Sequence, residues 1–321
     1  MIRILFLSAT ALLLWQTHGQ ADPLPCSGVC TNSHDPSIIR RDSDGRYFRF
    51  STGGKVAIHT APSLDGPWTY QCAMLPSGSV INNPGRNDIW APDAAKVGDT
   101  YYIYYSVSTF GSQNSAIGFA TSPTMDCNSF NDHGSVVTSY SGSRFNTIDG
   151  NLFFAGGKYY LNFGSFWDGL YQVEMANPPT AAVSAPRQIT YEPSGSRAIE
   201  APFMIFNNNY YYLFFSNGVC CGYDSKRPPP GEEYKVKVCR SPSATAGFVD
   251  KNGRSCTSGG GTVILGSHGN IYGPGGQGIY NDPINSWIIY YHYVDTRIGF
   301  SDGAKRFGWN KINWVDGWPS V

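Results

Sequence analysis

Short runs of aromatic and aliphatic residues recur along this chain, each preceded by a turn and separated from the next by about 50 to 70 residues. The five runs cover residues 46–48, 100–105, 158–161, 209–213 and 287–291. A further apolar segment follows each run, and these segments cover residues 56–60, 116–123, 169–173, 234–238 and 297–301. Such alternating segments are typical of β-strands. Several strands repeated at this period predict an all-β fold of the β-propeller type.

No segment carries a long helical period, so we expect helices to be minor. A parallel α/β fold is the main alternative for 321 residues, but it would require crossover helices of about a dozen residues between strands. The proline-rich residues 228–231 fall inside the fourth repeat and predict a surface loop rather than a domain boundary. Residues 22–321 are therefore expected to form a single domain.

Residues 1–19 combine a basic residue with a short apolar run and small residues at the end. This pattern is typical of a secretory signal peptide, here cleaved between residues 19 and 21, and predicts a secreted, extracellular protein. Secretion favours disulfides among the eight cysteines, whose spacing matches no zinc site and does not reveal their pairing.

The charges are sparse and balanced, with 23 basic and 23 acidic residues. Binding to nucleic acid or to an anionic membrane needs a basic excess, so neither partner is expected. Strand formation accounts for most of the aromatic residues, although such residues also stack on sugar rings.

Each repeat begins with a short segment rich in proline, glycine or acidic residues. These segments cover residues 34–37, 90–93, 148–151, 200–203 and 273–276. Three carry a carboxylate at what we interpret as equivalent places, namely Asp35, Asp149 and Glu200. Because a propeller directs its innermost strands at one axis, we expect these groups to meet in a central cavity. Two carboxyl groups across a sugar can hydrolyse a glycoside, one as acid and the other as base or nucleophile.

The same segments resemble glycoside hydrolase family 43. The resemblance rests on residues 33–38, 90–93, 146–151 and 199–203, and at the C-terminal end on residues 272–278, 290–293, 308–310 and 317–319, which look like its fungal arabinan-cleaving members. Each motif is short, but together they cover nearly the whole chain in order. The resemblance implies a five-bladed propeller with its active site at the axis, which cleaves internal α-1,5 links of arabinan with inversion.

The resemblance also implies roles for individual residues. Asp35 would be the general base, Glu200 the general acid, and Asp149 the residue that orients the acid and raises its pKa. Substrate-binding roles fall on residues expected to line the same cleft, which are His34, Trp90, Phe110, Asn146 and Ser165.

His268 lies shortly before the fifth start, and the resemblance implies that it contacts a calcium or similar ion at the floor of the site. Calcium prefers oxygen ligands, so the residue alone favours a hydrogen-bonding loop histidine, and only the resemblance favours the ion. No organic cofactor is expected, and the protein is expected to be a monomer.

Two other functions remain open. An exo-acting arabinofuranosidase or β-xylosidase would use the same carboxylates but would have a pocket blocked on one side. A non-catalytic propeller lectin would stack its aromatic residues on glycans, but it would not need three carboxylates at the axis.

Overall fold

The computed structural model describes residues 20–321, and the predicted signal peptide lies outside the described residues. This part of the chain forms a five-bladed β-propeller, which confirms the predicted fold. No helix within it is long and apolar enough to cross a membrane.

The first four blades each contain four antiparallel strands, in the order of the chain. The first blade comprises β1 (Ser37–Arg40), β2 (Tyr47–Ser51), β3 (Ala57–Ala61) and β4 (Thr69–Ala73), and the second β5 (Trp90–Val97), β6 (Thr100–Val107), β7 (Ser115–Ser122) and β8 (Asn131–Ser139). The third comprises β9 (Asn151–Ala155), β10 (Lys158–Phe163), β11 (Leu170–Met175) and β12 (Arg187–Thr190), and the fourth β13 (Ile199–Asn207), β14 (Tyr210–Asn217), β15 (Lys235–Ser241) and β16 (Thr262–Leu265).

The fifth blade contains three strands, β17 (Ile271–Asp282), β18 (Ser286–Asp295) and β19 (Arg306–Lys311), and a hairpin of β20 (Asn313–Val315) and β21 (Trp318–Ser320) follows it. Two single-turn 3-10 helices lie at Cys256–Ser258 and Asp302–Ala304.

The N-terminal segment closes the ring by lying against the outer strand of the fifth blade. The backbone N–H of Leu24 donates to the carbonyl of Trp309, and that of Phe307 donates to the carbonyl of Cys30, both at 2.9 Å. The two ends of the described chain are thereby joined by backbone hydrogen bonds, which leave no open edge there.

Apolar side chains fill the spaces between neighbouring blades. Phe50 of the first blade packs with Tyr105 of the second, and Leu161 of the third packs with Ile117 of the second; all four are fully buried. Because each blade contributes to two such clusters, the blades hold one another in place around the axis.

One predicted strand is wrong. Residues 297–301 were expected to form the third strand of the fifth repeat, but that strand is β19. Asp295 explains the difference, since its carboxylate accepts from the backbone N–H of Arg297 at 3.1 Å and its carbonyl accepts from Ile298 at 2.9 Å. These bonds fix a turn, and Ile298 is exposed.

All eight cysteines form disulfides, as expected for a secreted chain. The pairs are Cys26–Cys30, Cys72–Cys127, Cys220–Cys221 and Cys239–Cys256.

Candidate active site

Each blade enters its innermost strand through one residue with positive φ. These residues are Asp35 (φ 42°), Ala91 (45°), Asp149 (58°), Ala201 (52°) and Gly276 (56°). Four of the five are not glycine, so the surrounding structure must stabilise an unfavourable backbone conformation. This residue occurs at the same place in every blade. It therefore shows which residues of the five blades are equivalent more precisely than the sequence motifs do.

This alignment corrects one prediction about the carboxylates. Asp35 and Asp149 do occupy the same place in their blades, but Glu200 lies one residue earlier, and Ala201 takes the equivalent place. The sequence motifs did not show this offset because each contains an acidic residue close to proline or glycine.

The segments that lead into the innermost strands surround an axial cavity of about 710 Å³. Eight of the nine predicted site residues line it: His34, Asp35, Trp90, Phe110, Asn146, Asp149, Ser165 and Glu200. The three carboxylates therefore converge on one space, as the sequence predicted. A cavity of this volume is large enough for a ligand of drug size, well beyond a single pentose ring.

Asp35 is held by groups that favour its ionised form. The hydroxyl of Thr52 donates to Oδ2 of Asp35 at 2.8 Å, and Nδ1 of His34 lies 3.5 Å from the same oxygen. The backbone N–H of Asp35 donates to Nδ1 of His292 at 3.1 Å. Burial alone would raise the pKa of Asp35, but His34, His292 and Thr52 outweigh it and lower that pKa below its usual range. Asp35 is therefore an anion at neutral pH.

Glu200 is buried between two hydroxyl groups. Ser165 donates to Oε2 at 2.6 Å, and Tyr234 donates to Oε1 at 2.8 Å. Burial raises the pKa of Glu200, and the two hydroxyl groups oppose this effect without cancelling it.

Asp149 precedes the inner strand of the third blade and is hydrogen-bonded to the second and fourth blades. Its Oδ2 accepts a hydrogen bond from the backbone N–H of Ala201 at 3.1 Å, and its own N–H donates to Oγ of Ser106 at 2.9 Å. Burial raises the pKa of Asp149 well above its ordinary value, and the charges of Glu200 and Asp35 add to the rise. Within one cavity, the pKa of Asp35 is therefore lowered while those of Glu200 and Asp149 are raised, the separation that acid–base catalysis requires.

The other predicted substrate-binding residues form the walls. The rings of Trp90 and Phe110 lie 5.1 Å apart, and Phe110 is 81% exposed. Asn146 is buried, and its Oδ1 accepts a hydrogen bond from Ser115 at 2.6 Å. The exposed ring of Phe110 and the half-buried ring of Trp90 offer a surface on which a sugar ring can stack.

Several residues of the site did not stand out in the sequence. They are Thr52, Phe166, Trp167, Arg197, the Cys220–Cys221 pair, Tyr234 and Asp302, all of which line the cavity, with Lys305 behind His34. They come from loops and strand ends without a shared motif. Among these residues, only the neighbouring cysteines Cys220 and Cys221 are conspicuous in the sequence, and their adjacency does not indicate that they line the cavity.

His268 does not line the cavity, so the structure does not bring it together with the other eight predicted site residues. Its Nδ1 lies 2.9 Å from the carbonyl of Gly266, and its Nε2 lies 3.5 Å from Asp22. The reason is the length of β17, which begins at Ile271 and reaches the axis at Gly276, eight residues after His268.

The described residues do not fit a calcium ion well. Around His268, no third carboxylate, histidine or cysteine ligand lies close enough to complete a group in residues 20–321. Near the axis, His34, Asp35 and His292 do cluster, but they provide two imidazoles and one carboxylate, whereas calcium takes six to eight oxygens. The ammonium group of Lys305 also lies 2.7 Å from His34. We therefore derive no catalytic step through an ion.

A propeller whose axial cavity holds one carboxylate with a lowered pKa and two with raised pKa values has the parts of a glycoside hydrolase. The sequence matches the family model of glycosyl hydrolases family 43 over residues 29–319, and the chain belongs to that family.

Similar proteins of known name are fungal arabinanases. The chain is 58% identical over 317 residues to a probable arabinan endo-1,5-alpha-L-arabinosidase A of Aspergillus clavatus, with 98% of each chain covered. It is 54% identical over 322 residues to the arabinan endo-1,5-alpha-L-arabinosidase A of Aspergillus niger, with 100% of each covered.

Solved structures agree on the fold. An endo-arabinanase from Bacillus licheniformis matches with a TM-score of 0.82 and 32% identity, covering 92% of this chain and 99% of that one. An exo-1,5-alpha-L-arabinanase from a bovine ruminal metagenomic library matches with the same values. The fold therefore does not separate endo from exo action.

Proposed function

We propose that this protein is a secreted endo-arabinanase that hydrolyses internal α-1,5-L-arabinofuranosidic links of arabinan, a side chain of pectin, with inversion. The observation that carries the proposal is the convergence of Asp35, Glu200 and Asp149 on one cavity, where their surroundings lower the pKa of Asp35 and raise those of Glu200 and Asp149. The names of the fungal relatives indicate the substrate.

In the proposed reaction, Asp35 takes a proton from a water molecule that attacks the anomeric carbon. The bond between that carbon and the glycosidic oxygen breaks, and Glu200 gives its proton to the departing oxygen. Asp35 ends protonated and Glu200 ionised, and exchange with solvent restores both. Asp149 keeps the acid in position through its hydrogen bond to Ala201.

Endo action is supported by the named fungal relatives and by a cavity larger than one sugar requires. Product analysis on linear and branched arabinan tests it. We expect mixed oligomers at the earliest times from linear arabinan, whereas arabinose or one short product from the start would indicate an exo enzyme.

Glu200→Gln tests the role of the acid, because the amide keeps the shape of the side chain but cannot donate the acid proton. We expect its turnover to be lower by roughly 10² to 10⁴-fold. Binding of arabinan by the wild-type protein without any release of sugar would favour the lectin instead. Secretion is tested separately, by sequencing the N-terminus of protein exported from a fungal host, which should begin at residue 20 or 21.

A further inference from the structure

Lys305 is a fully buried lysine next to the proposed base. It follows the 3-10 helix Asp302–Ala304, and none of its side chain is exposed. Its Nζ lies 2.7 Å from Nε2 of His34, 2.7 Å from the carbonyl of Cys220 and 3.0 Å from Oδ1 of Asp302. The buried ammonium group thus has two hydrogen-bond acceptors and, in Asp302, a carboxylate that compensates its charge.

The contact with His34 determines where the histidine carries its proton. Only one proton fits between Nζ and Nε2 at 2.7 Å. Burial lowers the pKa of Lys305, and the carboxylates nearby raise that of His34, but the ordinary values of about 10.4 and about 6.5 lie far apart and Asp302 favours the ammonium form. The proton therefore stays on lysine, and Nε2 is an acceptor. A neutral His34 must then carry its own proton on Nδ1, the nitrogen 3.5 Å from Oδ2 of Asp35.

We propose that Lys305 is a positioning residue for the base, which holds His34 in the tautomer whose Nδ1–H faces Asp35. The inference rests on the proposed function, because it takes Asp35 as the base. The backbone of Lys305 supports the same arrangement, since its carbonyl accepts from the N–H of Ser33 at 3.1 Å.

The consequence is a fixed orientation of the Asp35 carboxylate. Thr52 and His34 both face Oδ2, whereas Oδ1 lies 3.4 Å from Nδ1 of His292, a nitrogen that accepts from the backbone N–H of Asp35 and so does not donate to the carboxylate. Oδ1 is therefore the oxygen that takes the proton of the attacking water in this proposal. Although burial and Lys305 lower the pKa of His34, the carboxylates of Asp35 and Asp302 raise it overall. Without the ammonium group, His34 would gain a second proton more easily and would weaken Asp35 as a base.

The charged and titratable groups that face Lys305 come from several elements. They are His34 and Asp35 at the start of the first blade, Glu200 and Tyr223 of the fourth, His292 on β18 and Asp302 beside it. Of these groups, His34 alone has a ring nitrogen that accepts a hydrogen bond from Lys305.

The test is a double-mutant cycle between Lys305→Met and His34→Ala, with kcat and KM measured on linear arabinan oligosaccharides. We expect Lys305→Met to lower kcat roughly 10- to 100-fold with little change in KM, because a misplaced catalytic group costs rate rather than affinity. In the His34→Ala background, Lys305→Met should change kcat less than about twofold, because the histidine that Lys305 positions is no longer present. Equal losses in both backgrounds would overturn the proposal.

Lys237→Met is the matched control. Lys237 is also largely buried and pairs with Glu192 at 3.7 Å, but it does not line the cavity. We expect its kcat to be unchanged. If the wild-type protein releases no sugar, the proposed function fails, whereas an active wild type with a normal Lys305→Met variant defeats this inference alone.

Nitrogen NMR of the histidine side chains gives a readout that needs no variant. The sequence has six histidines, so His34 can be assigned. At pH 7.5 we expect a protonated Nδ1 and an unprotonated Nε2. A proton on Nε2 would overturn the proposal even if Lys305→Met does not fold.

Discussion

The phenolic hydroxyl of Tyr234 donates a hydrogen bond to Oε1 of Glu200 at 2.8 Å, and both side chains are buried. Tyr234 directly precedes β15, and Glu200 lies at the start of β13, so the contact joins two parts of the fourth blade. A hydroxyl donor stabilises the ionised carboxylate, so Tyr234 lowers the pKa of Glu200 while burial raises it. The balance between these effects sets the pH range in which the proposed acid keeps its proton.

Tyr234→Phe should move the basic limb of the kcat–pH profile to higher pH. The substitution removes the donor that favours the anion, so Glu200 stays protonated further into the alkaline range. The profile is measured on linear arabinan oligosaccharides. Tyr212→Phe is the control, since Tyr212 loses a hydrogen bond to the carbonyl of Gly317 away from the cavity. If both variants keep the wild-type limb, Tyr234 does not adjust the acid.

Asp149→Asn should move the same limb in the opposite direction and lower turnover. Glu200 raises the pKa of Asp149, and the interaction is reciprocal, so a neutral amide removes a charge that helps Glu200 to keep its proton. We also expect kcat to fall by roughly 100-fold, because the acid loses its orienting partner. If the basic limb stays in place or moves to higher pH, Asp149 does not raise the pKa of Glu200.

The blades could be predicted from the sequence because strand alternation and turns are local signals. The turn expected before the third run lies at residues 156–157, between β9 and β10, and the predicted loop at 228–231 lies between β14 and β15. The strand predicted at residues 297–301 is absent for a reason that alternation does not show, because the side chain of Asp295 converts this segment into a turn.

The site residues that could be predicted are those at the repeated start of an innermost strand. Asp35 and Asp149 lie at such starts, and their convergence follows from the closed ring of blades. Tyr234 and Lys305 do not, because each reaches the site from a segment whose position depends on packing between blades. The sequence did not show that His268 lies outside the cavity, because the extra length of β17 cannot be seen in the spacing of motifs.

Gly276→Ala should nearly abolish activity, because a Cβ at this position would collide with Oδ1 of Asp35 and lie 2.7 Å from Cε1 of His292. Gly156→Ala is the matched control. Gly156 has the same φ of 56° but no atom within 4 Å of the added Cβ, so it reports the backbone cost alone. We expect both variants to lose about 1 to 2 kcal/mol of stability from positive φ, and Gly276→Ala to lose more.

Thermal unfolding and kcat measured on the two glycine variants separate the two effects. Equal activity of Gly276→Ala and Gly156→Ala would mean that Asp35 tolerates displacement and is not the base.

The stereochemistry of the product tests the role of Asp35 most directly. Thr52 and His34 hold Oδ2, and the pKa of Asp35 lies below its usual range, so the carboxylate is ionised and oriented when substrate binds. If it activates a water molecule, the water attacks the face opposite the leaving group and inverts the anomeric centre. The new reducing end should therefore appear first as the β anomer.

Proton NMR of the earliest products, recorded before mutarotation, measures this outcome. Asp35→Asn is the control, since the amide keeps the shape of the side chain but cannot accept the proton, and we expect it to release no product within the same period. An initial α anomer from the wild-type enzyme would mean retention through a covalent intermediate. Asp35 would then be a nucleophile, and the hydrogen bond from Thr52 would hold the oxygen that does not attack.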